Sequence, residues 1–224
     1  MSSKFLFAGA AAALSLAAAH AASAGVVTLN FDALNGGSYE EPLNYYAGGA
    51  GSDGTTGGPN YGITFSSNAI TGCEQGYACA NTNAANAPSA PNILFFLSGA
   101  AATMDVTGGF NTGFSFYYSD QVGFTGTINV WSGLDDTGTL LATLSLPSTP
   151  NPYTVFVPIG VAFTGTAHSV DFGGSADYIA FDNITLGASS PTVPEPASWA
   201  LMLVGVGGLG AALRGSRRKA IAAA

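Results

Sequence analysis

Across residues 110–119 the sequence alternates. Phe110, Thr112, Phe114, Phe116 and Tyr118 hold one parity, and Asn111, Gly113, Ser115, Tyr117 and Ser119 hold the other. Successive side chains of a strand leave opposite faces, so the pattern specifies a half-buried strand. Similar segments recur along the chain. Residues 26–31 read as a first strand, 61–66 alternate, 92–97 form a continuous apolar strand, and 102–106 a short one. Residues 127–131 and 140–146 flank Gly133, Asp135, Asp136 and Gly138, the residue types a hairpin turn requires. Tyr153, Val155, Val157, Ile159, Val161 and Phe163 share a parity, with Pro158 marking an edge or a bulge. His168, Val170 and Phe172 share a face, and residues 178–186 close the series. About ten strands and no amphipathic helix predict an all-β fold, an antiparallel β-sandwich of jelly-roll type. The loops at 32–60 and 67–91 are long enough to be functional or tied down.

The two ends have a different character. Lys4, an apolar run over residues 5–19 and the small residues Ala22, Ser23 and Ala24 predict a signal peptide, residues 1–24, cleaved between Ala24 and Gly25. Near the other end, residues 197–213 are apolar, with Trp199 at the start and Arg214, Arg217, Arg218 and Lys219 just beyond. At ~1.5 Å per residue this run is about 25 Å long, marginal for a ~30 Å hydrocarbon core. It predicts a single C-terminal transmembrane helix, with residues 214–224 as a basic cytoplasmic tail and the body outside. The sandwich is then residues 25–187, and 188–196 a Pro-rich linker.

That linker ends in Pro194, Glu195 and Pro196, followed by Ala197, Ser198, Trp199, Ala200, Leu201 and Met202. The triplet, the apolar run and the basic end together resemble the PEP-CTERM sorting signal. The same motif is also called the ice-binding protein C-terminal motif, a label for the tail that does not imply ice binding. The resemblance implies recognition by an exosortase, removal of the signal in the membrane, and delivery to the cell surface or exopolysaccharide matrix. Proline on both sides of Glu195 holds an extended segment suited to a protease groove.

The bases are confined to these ends. All five Lys and Arg residues are Lys4 or lie in the tail, and residues 25–193 hold twelve of the thirteen acids and a single histidine, His168. No lysine or arginine ion pair can form within that segment. Nucleic-acid binding requires a basic footprint, which is missing, so no nucleic-acid partner is expected. An acidic body favours cations, neutral sugars or plain solvation. An exported chain meets an oxidising compartment, so Cys73 and Cys79 are expected to form a disulfide. Two cysteines alone lack the further ligands of a zinc site.

The last strand changes phase: Ile179 and Phe181 are odd, Ile184 and Leu186 even. A β-bulge at Asp182–Asn183 keeps both apolar pairs inward and re-aims Asp182. The segment Phe181-Asp182-Asn183-Ile184 resembles the closing strand of galactose-binding-like jelly rolls and carbohydrate-binding modules, and Phe31-Asp32 resembles their opening. The resemblance implies a structural calcium at Asp182, with Asp32 contributing. Tyr39, Tyr45 and Tyr46, with Tyr61 and Tyr77, offer rings for stacking on polysaccharide, or equally for packing the loops. His168 with Asp171 reads as a strand histidine and a turn acid, and no nucleophile elbow is present. Glu40, Glu41, Asp135 and Asp136 are the acids available to a glycosidase. The reading is a non-enzymatic surface or matrix protein binding polysaccharide, with a secreted glycosidase-like hydrolase as the alternative.

Overall fold

A computed structural model of the 224-residue chain describes residues 25–97, 101–121, 123–173, 176 and 178–191. The signal peptide, the Pro194–Glu195–Pro196 triplet, the apolar run and the basic tail lie outside the described residues. Among those described, no helix is long and apolar enough to cross a membrane.

Eleven strands are described: β1 Val27–Leu29, β2 Ile63–Phe65, β3 Ile70–Cys73, β4 Asn92–Phe95, β5 Ala101–Phe110, β6 Gly113–Asp120, β7 Gly126–Trp131, β8 Leu140–Leu146, β9 Val157–Ala162, β10 Ala167–Gly173 and β11 Ile179–Leu186. They form two antiparallel sheets. One runs β3-β4-β11-β6-β9, with β1 also on β11; the other runs β2-β5-β10-β7-β8. The pairings are nested: β4 with β11, β5 with β10, β6 with β9 and β7 with β8. The chain from β4 to β11 is therefore one long hairpin whose strand pairs alternate between the two sheets.

The core between the sheets is aromatic. Phe116 meets Phe181 at 5.5 Å and Phe172 meets Phe181 at 5.2 Å between centroids, both edge to face. That is the arrangement ring quadrupoles favour. Ile179, Phe181, Ile184 and Leu186 all enter this core, as the phase change predicts. The pairing of β11 with β6 slips between Asp182 and Thr185, and Asn183 takes φ 48°. Asparagine tolerates this left-handed conformation better than most residues. β4 is buried on both faces. Leu94 and the following Phe96 enter the main core. Ile93 and Phe95 enter a second cluster with Ala84 and Ala180. Burial on both sides is the physical reason for its unbroken apolar run. Pro158 falls on β9, an edge strand, where a missing N–H costs little.

Three expectations are corrected. The alternation at 110–119 is not one strand: Phe110 ends β5, Thr112 turns the chain at φ 70°, and β6 starts at Gly113. The strand expected over 153–163 begins only at Val157, because Tyr153 takes φ 57°. The loop expected at 67–91 contains β3, held along its length by β4.

Candidate functional site

The outer face of the six-stranded sheet carries a cleft of about 590 Å³. Ile93 and Phe95 of β4 and Ile179 and Ala180 of β11 form its floor. One wall is Tyr39, Gln75 and residues 81–84; the other is Pro152 and Tyr153, with Gln121 and Tyr178 at one end. Among the described residues, none of those lining it is charged.

The first wall is built by the Cys73–Cys79 disulfide and one asparagine. The disulfide closes with Cα atoms 5.7 Å apart. The Cys73 N–H donates to Asn81 Oδ1 at 2.8 Å, and the Asn81 Nδ2 donates to the Gly36 carbonyl at 2.7 Å. The Cys73 carbonyl accepts from the Asn81 and Thr82 N–H groups, both at 3.1 Å, and from Thr82 Oγ1 at 3.0 Å. The Tyr39 hydroxyl donates to the Asn81 carbonyl at 2.7 Å, and its ring meets Phe95 edge to face at 5.9 Å. At the far end Tyr178 stacks on Phe124 at 3.7 Å with the planes 8° apart.

Beside this wall two acids meet. Asp182 is fully buried and accepts from the Ser89 N–H at 2.7 Å, from Ser89 Oγ at 2.9 Å and from the Asn183 N–H at 2.7 Å. Burial pushes its carboxyl up to about 8, and the neighbouring Asp32 adds to the rise. Asp32 accepts from the Asn92 N–H at 3.2 Å. Its carboxyl is also raised, mainly by burial, with a smaller contribution from Glu74. The expected approach of Asp32 and Asp182 is thus present, brought about by β1 pairing with β11. Asn183 is fully buried on the same bulge, and neither polar atom of its side chain finds a partner among the described residues. Asn92 donates to the Phe31 and Leu34 carbonyls, while its Oδ1 has no partner among the described residues. No group of three or more His, Cys, Asp or Glu side chains is arranged to hold a metal among the described residues.

The other acids serve elsewhere. Glu40 is fully buried and accepts from the Asn35 N–H at 2.6 Å, the Thr55 N–H at 3.1 Å and Thr55 Oγ1 at 2.7 Å. A carboxylate so occupied is a loop anchor. Asp135 and Asp136 form the β7–β8 turn, and their N–H groups donate to Asp105 of β5 and Ser169 of β10 within the same five-stranded sheet. Glu40 and the Asp135–Asp136 pair therefore do not face one another across a cleft. His168 Nδ1 lies 3.1 Å from the Val106 carbonyl, whereas Asp171 accepts from Asn129 and Trp131, so the two make no dyad.

Among the tyrosines, Tyr39 is 38 % exposed and lies in the cleft. Tyr45 and Tyr46 are only 6 % and 5 % exposed, packed in the main core, where the Tyr46 hydroxyl accepts the Phe31 N–H. Their rings are largely taken up by the core, and with Tyr61 they line a separate, smaller pocket of about 220 Å³ rather than the cleft. Tyr61 and Tyr77 are exposed but do not line the cleft. The residues that sequence reasoning missed are Phe95, Gln121, Tyr153 and Tyr178. The one available signal was Phe95 and its neighbours, since a run apolar on both parities announces a second buried face.

Fold and site together define a two-sheet antiparallel β-sandwich with an uncharged, aromatic-lined cleft on one outer face. Its last segment, residues 192–219, matches the PEP-CTERM protein-sorting motif. No curated protein matches the chain. Among solved structures, it is similar to a family 43 glycoside hydrolase, an arabinoxylan arabinofuranohydrolase from Bacillus subtilis in complex with cellotetraose, at 22 % identity and TM-score 0.35. That match covers 45 % of this chain and only 23 % of the enzyme. A family 6 carbohydrate-binding module is 19 % identical at TM-score 0.38, over 56 % of this chain and 87 % of the module. The module CsCBM6-3 from Clostridium stercorarium, in complex with cellobiose, is 18 % identical at TM-score 0.33, over 44 % and 75 %. Likeness of this degree is partial, and the function has to be argued from the cleft itself.

Proposed function

We propose that this is an exported, non-enzymatic protein of the cell surface or exopolysaccharide matrix, sorted by an exosortase through its PEP-CTERM tail, whose jelly-roll body binds polysaccharide. The observation that carries the binding half is the cleft: exposed Tyr39 on one wall, Tyr153 on the other, Tyr178 at one end, and four amide side chains among the lining residues. Aromatic faces suit the C–H faces of sugar rings, and amides both donate to and accept from hydroxyls. A few placed polar groups in an otherwise apolar concavity are the usual form of a small-ligand site. The nested strand pairing supports the jelly-roll assignment, and the matched motif supports sorting.

Calcium belongs to the same proposal as a structural ion. The residues fit it in charge and hardness: two adjoining carboxylates, Asp32 and Asp182, with no lysine or arginine in residues 25–193 to neutralise them. With loop carbonyls they would supply the oxygen ligands that calcium takes.

The test is polysaccharide binding by the full-length protein in a sugar-free detergent, with hydrolysis products assayed in parallel. Tyr39→Ala is expected to weaken binding about tenfold, or ~1.4 kcal/mol, and no reducing sugar is expected. Binding that is indifferent to Tyr39→Ala removes the cleft from the proposal, and steady release of sugar makes the protein a hydrolase. For sorting, replacing Pro194, Glu195 and Pro196 together by alanine is expected to leave unprocessed precursor in the membrane of an exosortase host. Unchanged processing rejects that half.

A further inference from the structure

We propose that the cleft selects an uncharged glycan and reads its hydroxyls through the side-chain amides of Asn83 and Gln121. This rests on the polysaccharide reading above and narrows it to a ligand class and two specificity residues.

The argument begins with charge. Among the described residues the lining contains no Asp, Glu, Lys, Arg or His. The described acids next in sequence to a lining residue, Glu40, Glu74 and Asp120, are all buried, and each accepts a backbone N–H rather than lining the cleft. A uronate or sulfate group entering here would lose water and gain no cation, because residues 25–193 contain no lysine or arginine. Burying an unpaired anion is strongly unfavourable. The twelve acids of the same segment add repulsion at longer range. A cationic amino-sugar polymer is attracted to the body as a whole but meets no carboxylate among the described residues of the cleft. Its binding is spread over the surface and screened by salt. Neutral hydroxyls face neither obstacle.

Hydrogen bonding then separates the amides. Asn81 is fully used, with Oδ1 on the Cys73 N–H and Nδ2 on the Gly36 carbonyl. Gln75 Nε2 is committed to the Thr82 carbonyl at 2.5 Å. Asn83 and Gln121 line the cleft and make no side-chain hydrogen bond among the described residues. Their backbones are nevertheless held. Thr82 and Ala84, on either side of Asn83, are bound to Cys73 and Gln75. The Gln121 N–H donates to the Tyr178 carbonyl at 3.0 Å, and its carbonyl accepts the Phe124 N–H at 3.1 Å. Uncommitted amides keep a donor and an acceptor for a ligand, and a fixed backbone leaves only their side-chain rotamers to be ordered on binding. The rings beside them are held as well, Tyr39 through its hydroxyl and Tyr178 by stacking on Phe124.

The experiment measures binding of full-length protein, in a sugar-free detergent, to dextran, mannan and cello-oligosaccharides, to polygalacturonate, and to chitosan, each at about 50 and 500 mM NaCl. At least one neutral glycan is expected to bind equally at both salt concentrations, polygalacturonate not to bind, and any chitosan binding to fall with salt. Asn83→Ala and Gln121→Ala are each expected to weaken neutral binding about three- to tenfold with the melting temperature unchanged. Polygalacturonate binding that Tyr39→Ala abolishes overturns the neutral class while leaving a polysaccharide site in place. Undiminished neutral binding in the double variant overturns the two residue assignments. Failure of every polymer to bind removes the polysaccharide reading and this inference with it.

Discussion

Asp182 shows how one residue can be read in sequence and in structure alike. Its place at a phase change marks a bulge, and the bulge turns its carboxyl onto Ser89 beneath the loop that walls the cleft. Burial raises that carboxyl to about 8, so the folded protein holds the proton more tightly than the unfolded chain does. Its contribution to stability is fully present below the unfolded value of about 4 and is lost as pH rises through about 8. Calcium reverses this sign, because it binds the ionised carboxylate and only in the folded state. In EDTA, Asp182→Asn is expected to melt higher than wild type at pH 8 and about equally at pH 4. Millimolar calcium is expected to raise the melting temperature of wild type, more at pH 8 than at pH 5, and magnesium to do less. An undiminished calcium shift in Asp182→Asn removes Asp182 from the ion's ligands.

At the scale of elements, what the sequence made legible is what alternation and apolar runs encode. Phe114, Phe116 and Tyr118 of β6 and the paired phases of β11 lie where their parity puts them, because each strand buries one face in the main core. β3 was hidden for the opposite reason. Ile70, Thr71, Gly72 and Cys73 carry little pattern, and pairing with β4 and the two bonds from Thr71 to the Glu40 carbonyl make them a strand. The turn at Thr112 was invisible because alternation continues through it. The cleft was mostly illegible, since Gln121 and Tyr178 meet only through the pairing of Asp120 with Ile179. Tyr45 and Tyr46 looked like Tyr39 because a Gly-rich loop does not announce which of its rings turn inward. The disulfide was legible, but its role was not. Closing so short a loop stabilises by only about 2 kcal/mol, whereas Cys73 positions Asn81, Thr82 and through them Tyr39. Replacing both cysteines by serine is therefore expected to lower the melting temperature by roughly 4–8 °C and to weaken glycan binding about tenfold or more. A variant with that melting loss and full affinity would show that the wall stands without the bond.

At the scale of the whole molecule, the acids replace ion pairs as ties between loops and sandwich. Glu40 holds Asn35 and Thr55, Glu74 holds Ala87, Asp182 holds Ser89, Asp32 holds Asn92, Asp105 holds Asp135 and Asp120 holds Thr149, each by accepting a backbone N–H. Charge-assisted bonds of this kind are stronger than neutral ones. They leave the body with twelve acidic residues and no lysine or arginine to offset them. The repulsion is concentrated at two places. One is Asp32, Glu74 and Asp182 beside the cleft wall; the other is Asp105, Asp135, Asp136 and Asp171 outside the five-stranded sheet. Asp32, Glu74, Asp105, Asp136 and Asp182 are all raised, with burial the first cause and neighbouring acids adding to it at all but Glu74. Raised carboxyls share one sign: the folded state binds more protons, so its stability declines as pH rises above the unfolded values of about 4. Salt acts in the same sense as protons here, because screening within ~10 Å at 0.1 M weakens repulsion and there are no lysine or arginine pairs to lose. The expected result, in EDTA, is a higher melting temperature at pH 5 than at pH 8, a rise at pH 8 as NaCl increases, and a smaller pH difference at high salt. A melting temperature that falls on adding NaCl, or that is higher at pH 8 than at pH 5 in low salt, would mean that this fold does not carry the uncompensated charge its sequence gives it.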